Sequence, residues 1–130
     1  MANSRTTMAP AFREARILRE ATDENGRYDA VKIAHLLDWT VSDIARYLVR
    51  DASTISRFGS SPVHQEKLAS LASLIQEVFE IMREDLRATR VWFRTPIRAL
   101  DGKSPRHLIL GGNFCRVSSL IEESRSALSL

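Results

Sequence analysis

Apolar residues recur at Leu68, Leu71, Ile75, Val78, Met82 and Leu86, and this repeat constrains the fold more than any other feature. At 3.6 residues per turn, positions three and four apart form one continuous stripe on a helix. The spacing predicts one long helix over about 63–90. A stripe of this kind is read first as core; its length also suits a spine joining two halves, or a dimer seam. Strand-type alternation is nearly absent elsewhere. Only 5 glycines and 4 prolines interrupt the 130 residues. Stretches rich in Ala, Leu, Arg and Glu dominate, and those side chains lose little freedom in a helix. The hydrophobic fraction of 44% is enough for a core. The expected fold class is therefore all-α, with about six to eight helices.

Punctuation along the chain divides it into three parts: an N-terminal segment over 1–28, a helix-turn-helix region over 29–62, and the long helix with a small helical unit over 63–130. The first seven residues are polar and read as disordered. Pro10 suits the first turn of a short helix through Glu20, with Phe12, Ile17 and Leu18 as its apolar residues. Residues 22–28 (TDENGRY) read as a turn around Asn25-Gly26. Asp29 can cap the next helix, which runs to about Asp38 and buries Ile33, Leu36 and Leu37. Further on, Pro96 should end the long helix, because the residue before a proline avoids the helical region. Asp101-Gly102 makes a tight turn, and Ser104-Pro105 starts a helix. Gly111-Gly112 breaks the chain again. Asn113 can then cap a final helix carrying Phe114, Val117, Ile121 and Leu128.

Residues 40–57 read TVSDIARYLVRDASTISR. A helix-turn-helix needs a small residue where its helices cross, and Ala45 fills that place. It needs core-facing apolar residues, and Ile44, Leu48 and Ile55 supply them. Thr40 or Ser42 can cap the first helix and Asp51 the second. The second helix would then present Ser53, Thr54, Ser56 and Arg57, with Arg50 beside them, to phosphates and base edges. These five residues are the expected DNA contacts. Val49 stands where such turns usually carry glycine, and Arg50 where they usually carry an apolar residue. Over 40–61 the cations are only Arg46, Arg50 and Arg57, against Asp43 and Asp51. Strong DNA binding draws on several phosphate contacts, so a homodimer would be needed to double this patch. The alternative is a unit that serves only packing or dimerisation.

The net charge is only +3, yet its distribution is uneven. Between 87 and 116 lie Arg87, Arg90, Arg94, Arg98, Lys103, Arg106 and Arg116, with Asp101 as the lone acid. A cationic stretch of this kind is either a solvated face or a surface for an acidic or phosphate-bearing partner. The same stretch, VWFRTPIRALDGKSPRHLILGGNFCRVSSLI, carries a pattern of motifs in order: Trp92 at a helix end, the Thr95-Pro96 step, Leu100, Gly102, Pro105 with Leu108, then Phe114, Arg116 and Val117. In this it resembles the toxin-binding domain of the Xre–MbcA–ParS antitoxin family, strongly over roughly forty residues and more loosely over the helices before them. Ile109 replaces a customary leucine, and no glycine follows the last helix. The resemblance implies an antitoxin that binds a RES-domain, NAD-degrading toxin, covers its active-site entrance and represses its own operon. Carried over onto this sequence, it makes Trp92, Arg94, Pro96, Arg98, Arg106 and Arg116 the expected toxin-facing residues.

The residues argue against an enzyme. His35, His64 and His107 lack ligand-like spacing, so neither a metal site nor a cofactor is expected. His35, set between apolar residues, reads as a structural histidine. Cys115 is the one cysteine; it cannot form an internal disulfide, fits a reducing cytoplasm, and reads as a buried, inert thiol. The first ten residues do not resemble a signal peptide, and no apolar run is long enough to cross a bilayer. Two competitors to an antitoxin remain: a stand-alone helix-turn-helix regulator and a non-enzymatic interaction adapter.

Overall fold

Several helix starts are set by short polar side chains placed just before an apolar run. In the computed structural model, which describes residue 17 and residues 19–129, Asp29 accepts the backbone N–H of Lys32 at 3.0 Å and opens α1 (Ala30–Leu37). Thr40 and Asp43 form a reciprocal capping box that opens α2 (Val41–Leu48). Asp51 opens α3 (Ala52–Phe58). Each such cap satisfies a donor that has no partner within the helix. A 3-10 turn at Pro62–His64 leads into α4 (Gln65–Ile81). The chain continues as α5 (Leu86–Arg94), a 3-10 turn at Arg98–Leu100, α6 (Pro105–Leu110) and α7 (Phe114–Ser129). Ser104 caps α6 with Pro105 in its first turn. The only extended pairings among the described residues are two isolated bridges, Thr22 with Tyr28 and Ile97 with Lys103. The fold class is all-α, as expected.

The long helix is corrected. It ends at Ile81, and Arg83 and Glu84 follow with φ of 57° and 65°. Two successive left-handed residues turn the chain, and Asp85 then caps α5 through the Ala88 N–H at 3.0 Å. The apolar phase survives the turn: Val78 is buried, while Met82 and Leu86 are half-buried against the core. The bend thus brings α5 back onto the front of the molecule instead of carrying it away as a spine.

Packing joins the front and back of the chain. α1 touches α2, α3, α4 and α5; α2 also touches α6, and α4 also touches α7. One cluster of buried side chains includes Ile33, Ile44 and Ile55 from the front, Leu71 and Ile75 from α4, and Phe93, Ile109 and Val117 from the back. Full burial of each large side chain is worth roughly 1.5–3 kcal/mol. Phe93 meets Trp39 edge-on at 6.1 Å and Trp92 at 5.1 Å. Gln65 clamps the backbone of Tyr28 in both directions at 2.8 Å, fastening the 22–28 turn to α4. That turn is built as expected: Asp23 accepts from Asn25 and Arg27, and Gly26 takes a φ of 79°.

Two single-residue expectations are overturned. Cys115 is exposed, on the outer side of α7. His35 is exposed as well, and the buried histidine is His64. Both errors come from flanking apolar residues, which sit on the opposite side of a helical turn. The expectations for 1–16, for Leu18 and for the Leu128 side chain lie outside the described residues.

Candidate partner-binding surface

The front surface is organised by Asp51. Its carboxylate accepts the Thr54 N–H, the Thr54 hydroxyl at 2.6 Å and the Ser53 hydroxyl. These bonds hold its pKa down at about 2, with the Ser53 bond the largest cause. Ser53 and Thr54, expected to face DNA, thus spend their hydroxyls on the cap, and a negative charge stands at the start of α3. Arg50, Ser56 and Arg57 are exposed. Arg57 lies 5.8 Å from the ring of Phe58, itself 59% exposed. Ala45, Ile44, Leu48 and Ile55 are buried where α2 meets α3, as expected.

The turn between these helices contains Val49, which has a φ of 56° and a ψ of 50°. A left-handed conformation costs an ordinary L-residue about 1–2 kcal/mol, and β-branching makes it worse. Val49 also leaves 72% of its surface exposed, so packing does not offset the strain.

In the back segment the arginines divide. Arg90 donates to the Leu36 carbonyl at 2.8 Å, at the end of α1. Arg94 reaches Asp38 at 3.3 Å, an exposed pair. Arg106 reaches Asp43 at 2.6 Å, the least exposed ion pair among the described residues. Burial pushes the Asp43 carboxyl up, but Arg106 and Thr40 outweigh it and hold it below its ordinary value. Arg116 donates to the Ala99 carbonyl at 2.9 Å and lies 3.7 Å from Asp101. Of the six residues expected to face a toxin, Arg94, Pro96, Arg98 and Arg116 are exposed, while Trp92 and Arg106 are half-buried. Arg94, Pro96 and Arg98 share one stretch at the end of α5; Arg106 is drawn away towards α2.

A groove of about 400 Å³ lies between α2, α4 and the α6–α7 turn. Sequence reasoning missed it, because it is assembled from residues far apart in the chain. Tyr47, Val49, Ile109 and Phe114 supply apolar wall, with Arg46 and Lys67 as its cations. Tyr47 and Phe114 rings are 6.0 Å apart. The Tyr47 hydroxyl donates to the Lys67 carbonyl, and the Lys67 ammonium donates to the Tyr47 carbonyl, both at 2.8 Å. Burial, with a smaller contribution from Cys115, pushes the Tyr47 pKa up to about 12, so it remains a donor. Among the described residues no three His, Cys, Asp or Glu side chains gather to hold a metal ion. No described helix is long and apolar enough to cross a membrane.

The described residues form a small all-helical protein. Residues 76–121 match the family model of the antitoxin Xre/MbcA/ParS C-terminal toxin-binding domain, which supports an antitoxin role in a toxin–antitoxin system. The matched stretch begins within α4 and ends within α7. It describes a binding domain, in keeping with a non-enzymatic regulator. No curated protein and no solved structure matches the chain.

Proposed function

We propose that this protein is the antitoxin of a type II toxin–antitoxin pair. Its segment 76–121 binds and neutralises a RES-domain, NAD-degrading toxin, and as a homodimer it represses its own operon through α3. The match of residues 76–121 to a toxin-binding domain carries the first part. Within that segment Trp92, Arg94, Pro96 and Arg98 form one contiguous approach at the end of α5. Arg106 and Arg116 act mainly by holding that approach in shape, through Asp43 and through the Ala99 carbonyl. The choice of a RES toxin rests on the resemblance of the 91–121 motifs. For the operator, exposed Arg50, Ser56 and Arg57 are the contacts, with Ser53 and Thr54 serving the Asp51 cap.

Co-expression with the neighbouring gene tests the proposal. The expected result is that the neighbour alone arrests growth and depletes cellular NAD, and that this chain is captured with it and restores both. A neighbour that is harmless and never co-purifies would sink the antitoxin reading and leave a stand-alone DNA-binding regulator. A toxic neighbour that is neutralised without loss of NAD would retain the antitoxin and exclude the RES chemistry. Retention of upstream DNA should weaken in Arg57→Ala and fall steeply with salt; unchanged retention would remove α3 from the DNA contact.

A further inference from the structure

We infer that the groove beside Val49 is a second docking point for the toxin, taking an apolar side chain flanked by carboxylates. The inference rests on the antitoxin reading and extends it to residues outside the matched segment. Three observations converge on it. Val49 is both strained and exposed, at 72%. A glycine or asparagine would relieve its left-handed backbone, so folding gives no reason for a valine there. Contact with another molecule does, since strain and exposed apolar surface coincide at functional positions.

The second observation is the groove itself. Val49 forms one wall of a space of about 400 Å³ whose other apolar residues include Tyr47, Ile109 and Phe114. Gly111 and Gly112 line it too, with no side chain to obstruct entry. The volume accommodates a large aliphatic or aromatic anchor of the kind that dominates interface energetics.

The third is charge. Arg46 and Lys67 line the groove, Arg50 follows Val49 directly, and no lining residue is acidic. Lys67 turns one N–H to the Tyr47 carbonyl, leaving donors of its ammonium for an incoming carboxylate. A second copy of this chain brings a net positive charge to a positive groove, whereas an acidic segment is complementary. The toxin is the favoured source because Ile109, Leu110, Gly111, Gly112 and Phe114 belong to the 76–121 segment that matches a toxin-binding domain. The groove continues that domain's surface onto α2.

The test uses the full chain and the purified product of the neighbouring gene, with Val49→Asn and Arg46→Glu compared with wild type by titration calorimetry and thermal melting. Val49→Asn should melt at a higher temperature yet bind about tenfold or more weakly. Arg46→Glu should bind more weakly with near-normal melting. Wild-type affinity in both variants would overturn the docking point while leaving the antitoxin reading intact. The same holds if Val49→Asn alters only self-association in sedimentation, or only DNA retention; the occupant is then a second copy or nucleic acid. If the wild-type chain itself fails to bind the product, the antitoxin reading and the docking point fall together.

Discussion

The front of the molecule, over 29–64, and the matched segment, over 76–121, spend their charged side chains differently. In the front, Asp29, Thr40 with Asp43, and Asp51 hold the starts of α1, α2 and α3. In the matched segment, arginines reach outward, and three of them end on the front: Arg90 at the α1 C-terminus, Arg94 at Asp38 and Arg106 at Asp43. Arg90 thereby meets a helix end, where a positive group belongs, whereas Arg94 and Arg106 are held by carboxylates. A run of arginine that reads in sequence as a surface for a partner is thus partly a fastening for the chain's own other half. Asp43 serves both regions, closing the capping box and receiving Arg106.

This comparison is broken most severely through the shared core. Phe93 is fully buried and touches the rings of Trp39 and Trp92. Phe93→Ala should cost about 3–5 kcal/mol in a denaturant titration, and front and back probes should lose structure together. Separate transitions would mean two units that merely touch. Arg106→Ala comes next, at about 1–2 kcal/mol, because it leaves a half-buried carboxylate without its charged partner. Arg94→Ala should cost under about 0.5 kcal/mol, since both members of its pair are exposed. Equal costs for the two would show that burial does not set the worth of these fastenings.

Acid should expose the smallest difference. Asp43 and Asp51 are both held below their ordinary values in the folded chain. The stability they lend is fully present above about pH 4, the unfolded carboxylate value, and is lost as pH falls through the folded value, about 2 for Asp51. Asp51→Asn should keep a cap, flatten this acid limb in thermal melts, and strengthen DNA retention by removing a negative charge from the start of α3. If retention is unchanged while Arg57→Ala weakens it, DNA approaches α3 away from its N-terminus.

Much of the fold is legible in the order of residues alone. The caps at Asp29, Thr40, Asp51 and Ser104 and the Asp101-Gly102 turn are local devices, each requiring only a few adjacent residues to satisfy backbone groups, and each lies where the sequence places it. The break after Ile81 is not legible in that way. Residues 82–86 contain no glycine or proline, and Met82 and Leu86 keep the apolar phase of the helix before them. The groove is hidden for a different reason: Val49, Lys67 and Phe114 are distant in sequence, and no periodicity relates them.

The sequence by itself determined the all-α class, the helix starts, the charge contrast between front and back, and the motifs of the toxin-binding segment, because each is fixed by neighbours a few residues apart. Tertiary structure alone decided that the arginines divide between internal fastening and open surface, that α5 folds back onto α1, and that the groove between α2, α4 and the α6–α7 turn exists. Those outcomes depend on which groups meet across dozens of residues, and only the packing of one shared core brings them together.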